Sequence, residues 1–177
     1  GQHVAMGTHN ALLSLGPRLY LEVIAGAPSL PPPAPPRWFD LDEPRLKAAL
    51  AEGPHLITWG ARTDDIERAV QRIPDLGTIL PMTRGEWSWR IAVPDDGPRP
   101  GRGLVPTLLR WNGSAHPADR MPDSGCRLVL LAGEHPEPAA VRESLAALDL
   151  SDTLKVTYAR SPRLAAMIRT PRGTVTL

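Results

Sequence analysis

The segment MGTHNALLSLGPRLYLEVIA, residues 6–25, decides the fold of this 177-residue chain more than any other stretch. Residues 10–15 and 19–24 are apolar runs of strand length, and the pair Gly16-Pro17 between them favours a turn. The segment therefore predicts a β-hairpin, and the rest of the chain can be interpreted outward from it.

A strand–helix–strand–strand pattern follows the hairpin and occurs twice. In the first copy, an apolar strand at 55–59 precedes a helix that begins near Asp64, and further strands occupy 87–93 and 104–111. The helix has an apolar stripe at the spacing i, i+3, i+4, i+7, formed by Ile66, Ala69, Val70 and Ile73.

The second copy begins with an apolar strand at 127–131 and continues with a helix whose apolar face includes Val141 and Leu145. The strands that follow it are expected at 155–158, 164–170 and 174–177. A repeated unit of this kind predicts an α+β fold built from modules.

We expect three units along the chain. Residues 1–36 hold the back half of a first module and a proline-rich linker, 37–123 form a second module, and 124–177 form a third unit that completes the sheet. The hairpin lacks the leading strand and helix of the later copies. We therefore expect about 30 residues to precede Gly1, from the usual size of a strand–helix–strand unit.

Composition excludes several functional classes. With 20 basic and 19 acidic residues the net charge is +1, so no overall field favours nucleic acid or a membrane surface as a partner. The sequence has no apolar run of about 18 residues and no secretion signal, which predicts a cytoplasmic location. Its many arginines and prolines are typical of a GC-rich bacterial genome.

The run Thr8-His9-Asn10, followed by Tyr20-Leu21-Glu22, resembles the glyoxalase-like domain family of the vicinal-oxygen-chelate superfamily. Shorter blocks along most of the chain are similar to the family too, among them Trp89-Arg90-Ile91-Ala92-Val93-Pro94 and Gly125-Cys126-Arg127-Leu128. The resemblance implies βαβββ modules whose curved, mixed sheets surround a cleft.

The resemblance also implies a small-molecule function. Superfamily enzymes commonly hold a divalent metal in the cleft with His and Glu ligands, and the metal polarises vicinal oxygens of the substrate. The leading interpretation is a metal-dependent lyase, isomerase or dioxygenase that acts on a small oxygen-rich or aromatic molecule. The alternative is a non-catalytic binding protein, similar to bleomycin resistance proteins, that sequesters a molecule in the same cup. A homodimer is expected because superfamily relatives often dimerise.

Glu22 and His9 are the candidate catalytic residues and metal ligands. A glutamate between Leu21 and Val23 is unexpected on a dry sheet face, because burying an unpaired charge is unfavourable. An imidazole can bind a divalent metal or transfer a proton. The alternatives are structural: Glu22 paired with an arginine on a half-solvated face, and His9 satisfying nearby backbone groups.

Metal-bearing relatives carry a second histidine on the leading strand of the later module. Here Thr58 stands near that position, and His55 has the opposite strand parity. A durable metal site needs three or more protein ligands. The partner histidine is therefore expected in the segment before Gly1.

Asn10, Trp89, Arg90 and Arg110 are the candidate substrate-binding residues. An indole offers flat apolar area, and guanidinium forks suit an anionic or aromatic molecule; the alternative for the tryptophan is a place in the core. Asn10 and His9 have opposite strand parity. In a regular strand, therefore, they cannot both line the cleft.

Overall fold

The computed structural model describes residues 1–34, 36–95 and 99–177, so Pro35 of the proline-rich linker lies outside the described residues. Its strands are β1 (Gln2–His3), β2 (Thr8–Ser14), β3 (Tyr20–Gly26), β4 (Gly60–Arg62), β5 (Thr78–Arg84), β6 (Trp87–Val93), β7 (Thr107–Trp111), β8 (Arg127–His135), β9 (Lys155–Tyr158), β10 (Arg163–Thr170) and β11 (Gly173–Thr176). The α-helices are α1 (Pro44–Glu52), α2 (Ile66–Arg72) and α3 (Pro138–Ala147). The α+β class is confirmed.

The predicted hairpin is confirmed as β2 and β3 of a first sheet with the order β1-β2-β3. The two strands pair without a bulge, from Thr8 opposite Gly26 to Ser14 opposite Tyr20. This unbroken register fixes which side chains share a face along the whole hairpin.

The second sheet has the order β4-β7-β6-β5, with β4 and β7 parallel and the other pairs antiparallel. Together with α2, these strands form a complete βαβββ module. Its strand β5 is absent from the sequence-based prediction because Pro81 interrupts the apolar run. The proline is tolerated because β5 is an edge strand, where one side of the backbone needs no partner.

The leading strand predicted at 55–59 is wrong by several residues, since pairing begins only near Trp59. The backbone carbonyl of Trp59 accepts a bond from the Thr107 N–H at 3.0 Å, and the Trp59 indole donates to the Leu104 carbonyl at 2.9 Å. The regular strand is Gly60–Arg62. Pairing with the parallel strand β7 therefore determines where β4 begins, and the apolar pattern of the sequence did not indicate this boundary.

The N-terminal cap of α2 differs by one residue from the sequence-based prediction. Asp65, not Asp64, caps the helix, because its carboxylate accepts the Arg68 N–H at 3.0 Å. Glu43 caps α1, and the neighbouring Asp42 forms a salt bridge with Arg37 at 2.8 Å.

The third unit was expected to complete the sheet, but it forms a sheet of its own with the order β11-β10-β8-β9. Its first strand, β8, lies inside this sheet, between β9 and β10. The two units are joined by packing instead. The buried side chains of this shared core include Ile66, Ala92, Leu104, Leu108, Val141, Leu145 and Val156.

A second core lies on the other face of the second sheet, against the first unit. Its buried members include Met6, Trp38, Met82, Trp89 and Ile91. We call the face of the second sheet that carries Trp89 its inner face, and the face covered by α2 its outer face. The unit boundaries 1–36, 37–123 and 124–177 stay a prediction. No helix in the described part of the chain is long and apolar enough to cross a membrane.

We expect Leu104→Ala to destabilise the fold by about 2–5 kcal/mol, the usual effect of opening a cavity at a fully buried leucine. Leu104 is 0% exposed and packs where α2 and α3 share their core. The matched control is Leu130→Ala on β8, where the side chain is 46% exposed. Urea unfolding measures both variants, and an equal effect in the two would contradict the shared core.

Candidate functional site

The inner face of the hairpin carries the polar residues of the site. Asn10, Tyr20, Glu22 and Ile24 lie on this face by strand alternation and register, and Ile24 packs against the core that contains Trp89. His9 is exposed and lies on the opposite, outer face of the hairpin. The structure therefore brings Asn10 and Glu22 together and directs His9 away from them.

Glu22 is held through Asn10. The Asn10 Nδ2 donates to Glu22 Oε1 at 2.6 Å, and Arg84 Nη1 on β5 donates to Asn10 Oδ1 at 3.1 Å. The amide thus links a carboxylate on the first sheet to a guanidinium on the second. No bulge is needed, because Asn10 and Glu22 are diagonal neighbours across the β2–β3 pair.

Burial dominates the electrostatics of Glu22. It raises the pKa of the carboxyl above its ordinary value, although the bond from Asn10 and the charge of Arg84 act in the opposite direction. Burial together with the nearby Glu22 carboxylate raises the pKa of Tyr20 to about 12. A carboxyl group that keeps its proton to higher pH than usual is a candidate for proton transfer near neutrality.

Aromatic side chains continue from Tyr20 toward the second sheet. The ring centroids of Tyr20 and His116 lie 5.6 Å apart, those of His116 and Trp111 lie 5.9 Å apart, and those of Trp111 and Trp89 lie 5.2 Å apart. Trp89 is followed by His3 at 6.2 Å. The flat rings form a wall on the same interior that Glu22 faces.

His3 in turn lies near Arg84, whose charge lowers the pKa of the His3 ring, and Arg84 is bonded to Asn10. Eight side chains therefore form a closed series between the first and second sheets, which we call the inner ring. Its members are His3, Asn10, Tyr20, Glu22, Arg84, Trp89, Trp111 and His116.

Both histidines of the inner ring are buried and use Nδ1 locally. His3 Nδ1 lies 3.2 Å from Thr8 Oγ1, and His116 Nδ1 accepts the Ala118 N–H at 3.2 Å. Burial lowers the pKa of His3 to about 4 and also lowers the pKa of His116. Both rings are therefore neutral at pH 7, and each keeps its Nε2 for a ligand or a neighbour.

An open cleft of about 810 Å³ reaches the inner ring between β1–β2 and the end of β5. Its walls include His3, His9, Asn10, Met82, Thr83 and Arg84. Asn10 and Arg84 line the cleft, and Glu22 is bonded to Asn10.

The described residues do not fit the divalent metal that the sequence resemblance implies. The two ligands that the sequence suggests, His9 and Glu22, point to opposite faces of the hairpin. In residues 1–34, 36–95 and 99–177, no group of three or more His, Cys, Asp or Glu side chains is arranged to hold a metal ion.

The substrate-binding candidates of the second sheet fall on both of its faces. Trp89 lies on the inner face and belongs to the inner ring. Arg90 and Arg110 lie on the outer face, where both form salt bridges with Glu67 of α2. The sheet itself therefore separates these two arginines from Trp89.

Sequence reasoning missed Arg84, the one permanent cation of the inner ring. A strand ending at Arg84 could have been found from the turn Gly85-Glu86, which leads into the strand at Trp87. His116 was also missed, because the following Pro117 is typical of a helix entry and no nearby partner marks the histidine. Its neighbours Tyr20 and Trp111 are brought to it only by the packing of the two sheets.

Glu22→Gln should change how stability depends on pH. The folded-state pKa of Glu22 lies above 4.5, so the wild type loses folding free energy as pH rises from there through the folded pKa. The glutamine variant has no such loss, and its stability relative to wild type should therefore grow with pH. Urea unfolding between about pH 4.5 and about pH 8 measures this difference. Glu52→Gln, on an exposed helix end, is the control, and parallel profiles for E22Q and wild type would contradict the raised pKa.

Comparison with known proteins places this geometry in a family. Among solved structures, the chain is similar to the crystal structure of a hypothetical protein from Staphylococcus aureus, with a TM-score of 0.53 and 11% sequence identity over 92% of this chain and 76% of that chain. At this identity the likeness shows the fold alone. No curated protein matches the sequence.

Residues 1–148 match the glyoxalase-like domain family of the vicinal-oxygen-chelate superfamily, from β1 to the end of α3. Domains of this kind commonly bind small molecules. Since the match extends over most of the chain and includes both the hairpin and the complete βαβββ module, the protein belongs to the glyoxalase-like domain family.

Proposed function

We propose that the protein binds a small oxygen-bearing or aromatic molecule between its first and second sheets and that Glu22 exchanges a proton with it. The observation that carries this proposal is a half-buried carboxyl group with a raised pKa, which is held by one amide and faces a wall of aromatic rings. Strongly perturbed carboxyl groups in a cleft are frequent at active sites.

The inner ring supplies what a proton transfer next to a carbonyl group requires. The bond from Asn10 fixes Glu22 Oε1, so that Oε2 is the oxygen available to accept a proton from the substrate. The guanidinium of Arg84 provides positive charge where negative charge develops on the substrate oxygen. Glu22 can therefore act as the base, Asn10 as the amide that positions it, and Arg84 as the electrostatic stabiliser.

The aromatic rings support the binding part of the proposal. Trp89 is 4% exposed and supports the wall from the core, so the half-buried Trp111 and Tyr20 offer the surface that a ligand can reach. Flat apolar surface of this kind contributes most of the affinity for an aromatic ligand, and a few polar groups orient it.

A second candidate function is sequestration of an aromatic molecule without reaction. The same aromatic wall favours it, because three of its members are tryptophan or tyrosine side chains that present surface without reactive groups. In that case Glu22 acts as a hydrogen-bonding group for the ligand, and no proton leaves the bound molecule. A homodimer, common among domains of this kind, stays a prediction under either candidate.

The test uses 2-hydroxyacetophenone, a neutral aromatic hydroxyketone, as a probe. Wild-type protein is expected to accelerate the exchange of its C2 protons into deuterated water, measured by NMR, and Glu22→Gln to lower that rate about 10²- to 10⁴-fold, the usual contribution of general acid–base catalysis. Binding is measured in parallel by the change in tryptophan fluorescence.

Glu52→Gln is the matched control and should exchange the probe at the wild-type rate. Asn10→Ala should lower the rate less than Glu22→Gln, because it releases the carboxyl group without removing it. Binding of the probe with no accelerated exchange would support sequestration instead. Unchanged exchange in E22Q would remove Glu22 from the proposed reaction.

A further inference from the structure

The open cleft beside the inner ring has an unbalanced charge. Among the described residues that line it, Arg84 carries a permanent positive charge and none is an aspartate or glutamate. A cleft lined by charge of one sign focuses the field and favours ligands of the opposite sign. This imbalance contrasts with the chain as a whole, whose net charge is only +1.

Arg84 differs from most of the partly buried arginines in having no acidic partner. Arg37, Arg99 and Arg90 form salt bridges with Asp42, Asp40 and Glu67. Within the part of the chain that the structure describes, Arg84 forms no salt bridge, and its one hydrogen bond goes to the neutral Asn10 side chain. A half-buried guanidinium held by a neutral amide keeps most of its donors for a ligand.

The position of Arg84 relates this cation to the site proposed above. Arg84 ends β5 and is bonded to Asn10, whose amide also binds Glu22. A ligand whose anionic group meets Arg84 therefore has its next atoms beside Asn10 and Glu22.

We propose that this cleft selects an anionic ligand, whose carboxylate or phosphate group binds Arg84. The inference deepens the proposed function, on which it rests, by giving the charge of the ligand. Carboxylates and phosphate monoesters share the geometry that a guanidinium fork recognises. The expected ligand is therefore a small, flat molecule that carries an oxyanion.

Matched probes separate charge from shape. Benzoate and benzamide have nearly the same size but differ in charge, and phenyl phosphate tests the phosphate alternative. Binding is measured by isothermal calorimetry at pH 7 and low salt. We expect wild type to bind benzoate or phenyl phosphate at least about tenfold more tightly than benzamide, in line with the strength of hydrogen bonds to charged groups. The tighter of the two anions identifies the source of the oxyanion.

Arg84→Gln should weaken binding of the preferred anion about tenfold or more and weaken benzamide binding much less, because benzamide carries no charge. Arg84→Lys keeps the charge but not the fork, so it should recover part of the affinity. Arg160→Gln, an exposed arginine remote in sequence from the cleft, is the control. Circular dichroism and thermal melting verify that each variant is folded.

Equal binding of benzoate, phenyl phosphate and benzamide would overturn the charge selection and leave the proposed function standing. Anion binding that is unchanged in both Arg84→Gln and Arg84→Lys would also overturn it. Arg84-dependent anion binding combined with normal proton exchange in Glu22→Gln would support the inference and refute the proposed role of Glu22. Failure of every probe to bind would overturn both.

Discussion

The partial burial of one carboxyl group, Glu22, is the constraint on which the site depends. A carboxylate taken from water must be paired or must hold its proton more strongly, and both happen here: Asn10 donates to it at 2.6 Å, and its pKa is raised. Asn10 can do this only because β2 and β3 pair without a bulge. A one-residue slip of β2 against β3 would place the two side chains on opposite faces of the hairpin.

The second sheet serves the site by having two different faces. Its inner face gives Trp89 and Trp111 to the interior beside Glu22, whereas its outer face is covered by α2. Arg90 and Arg110, neighbours of these tryptophans in sequence, pair with Glu67 on that outer face. Strand alternation thus separates an apolar wall from a charged surface that stabilises the module.

The same alternation bears on the chemistry. His9 follows Thr8 in the motif that resembles the family, yet its side chain lies on the face opposite to Glu22, and the described donors do not form a metal site. The positive charge next to Glu22 comes from Arg84, through Asn10. This arrangement supports the acid–base chemistry and the oxyanion ligand that we propose, because a guanidinium recognises an oxyanion.

The sequence by itself determined the local and periodic features: the hairpin, the amphipathic helices, the repeat and the family motif, because each depends on neighbouring residues and on strand or helix periodicity. It also placed Glu22 on the site. It did not determine β5, since Pro81 hides an edge strand, nor the position of β4, which its partner β7 decides. Only the tertiary structure brought Arg84 and His116 to Glu22 and turned His9, Arg90 and Arg110 away. Contacts between sheets depend on how whole layers pack, and no pattern within one strand encodes which residue of another layer will face it.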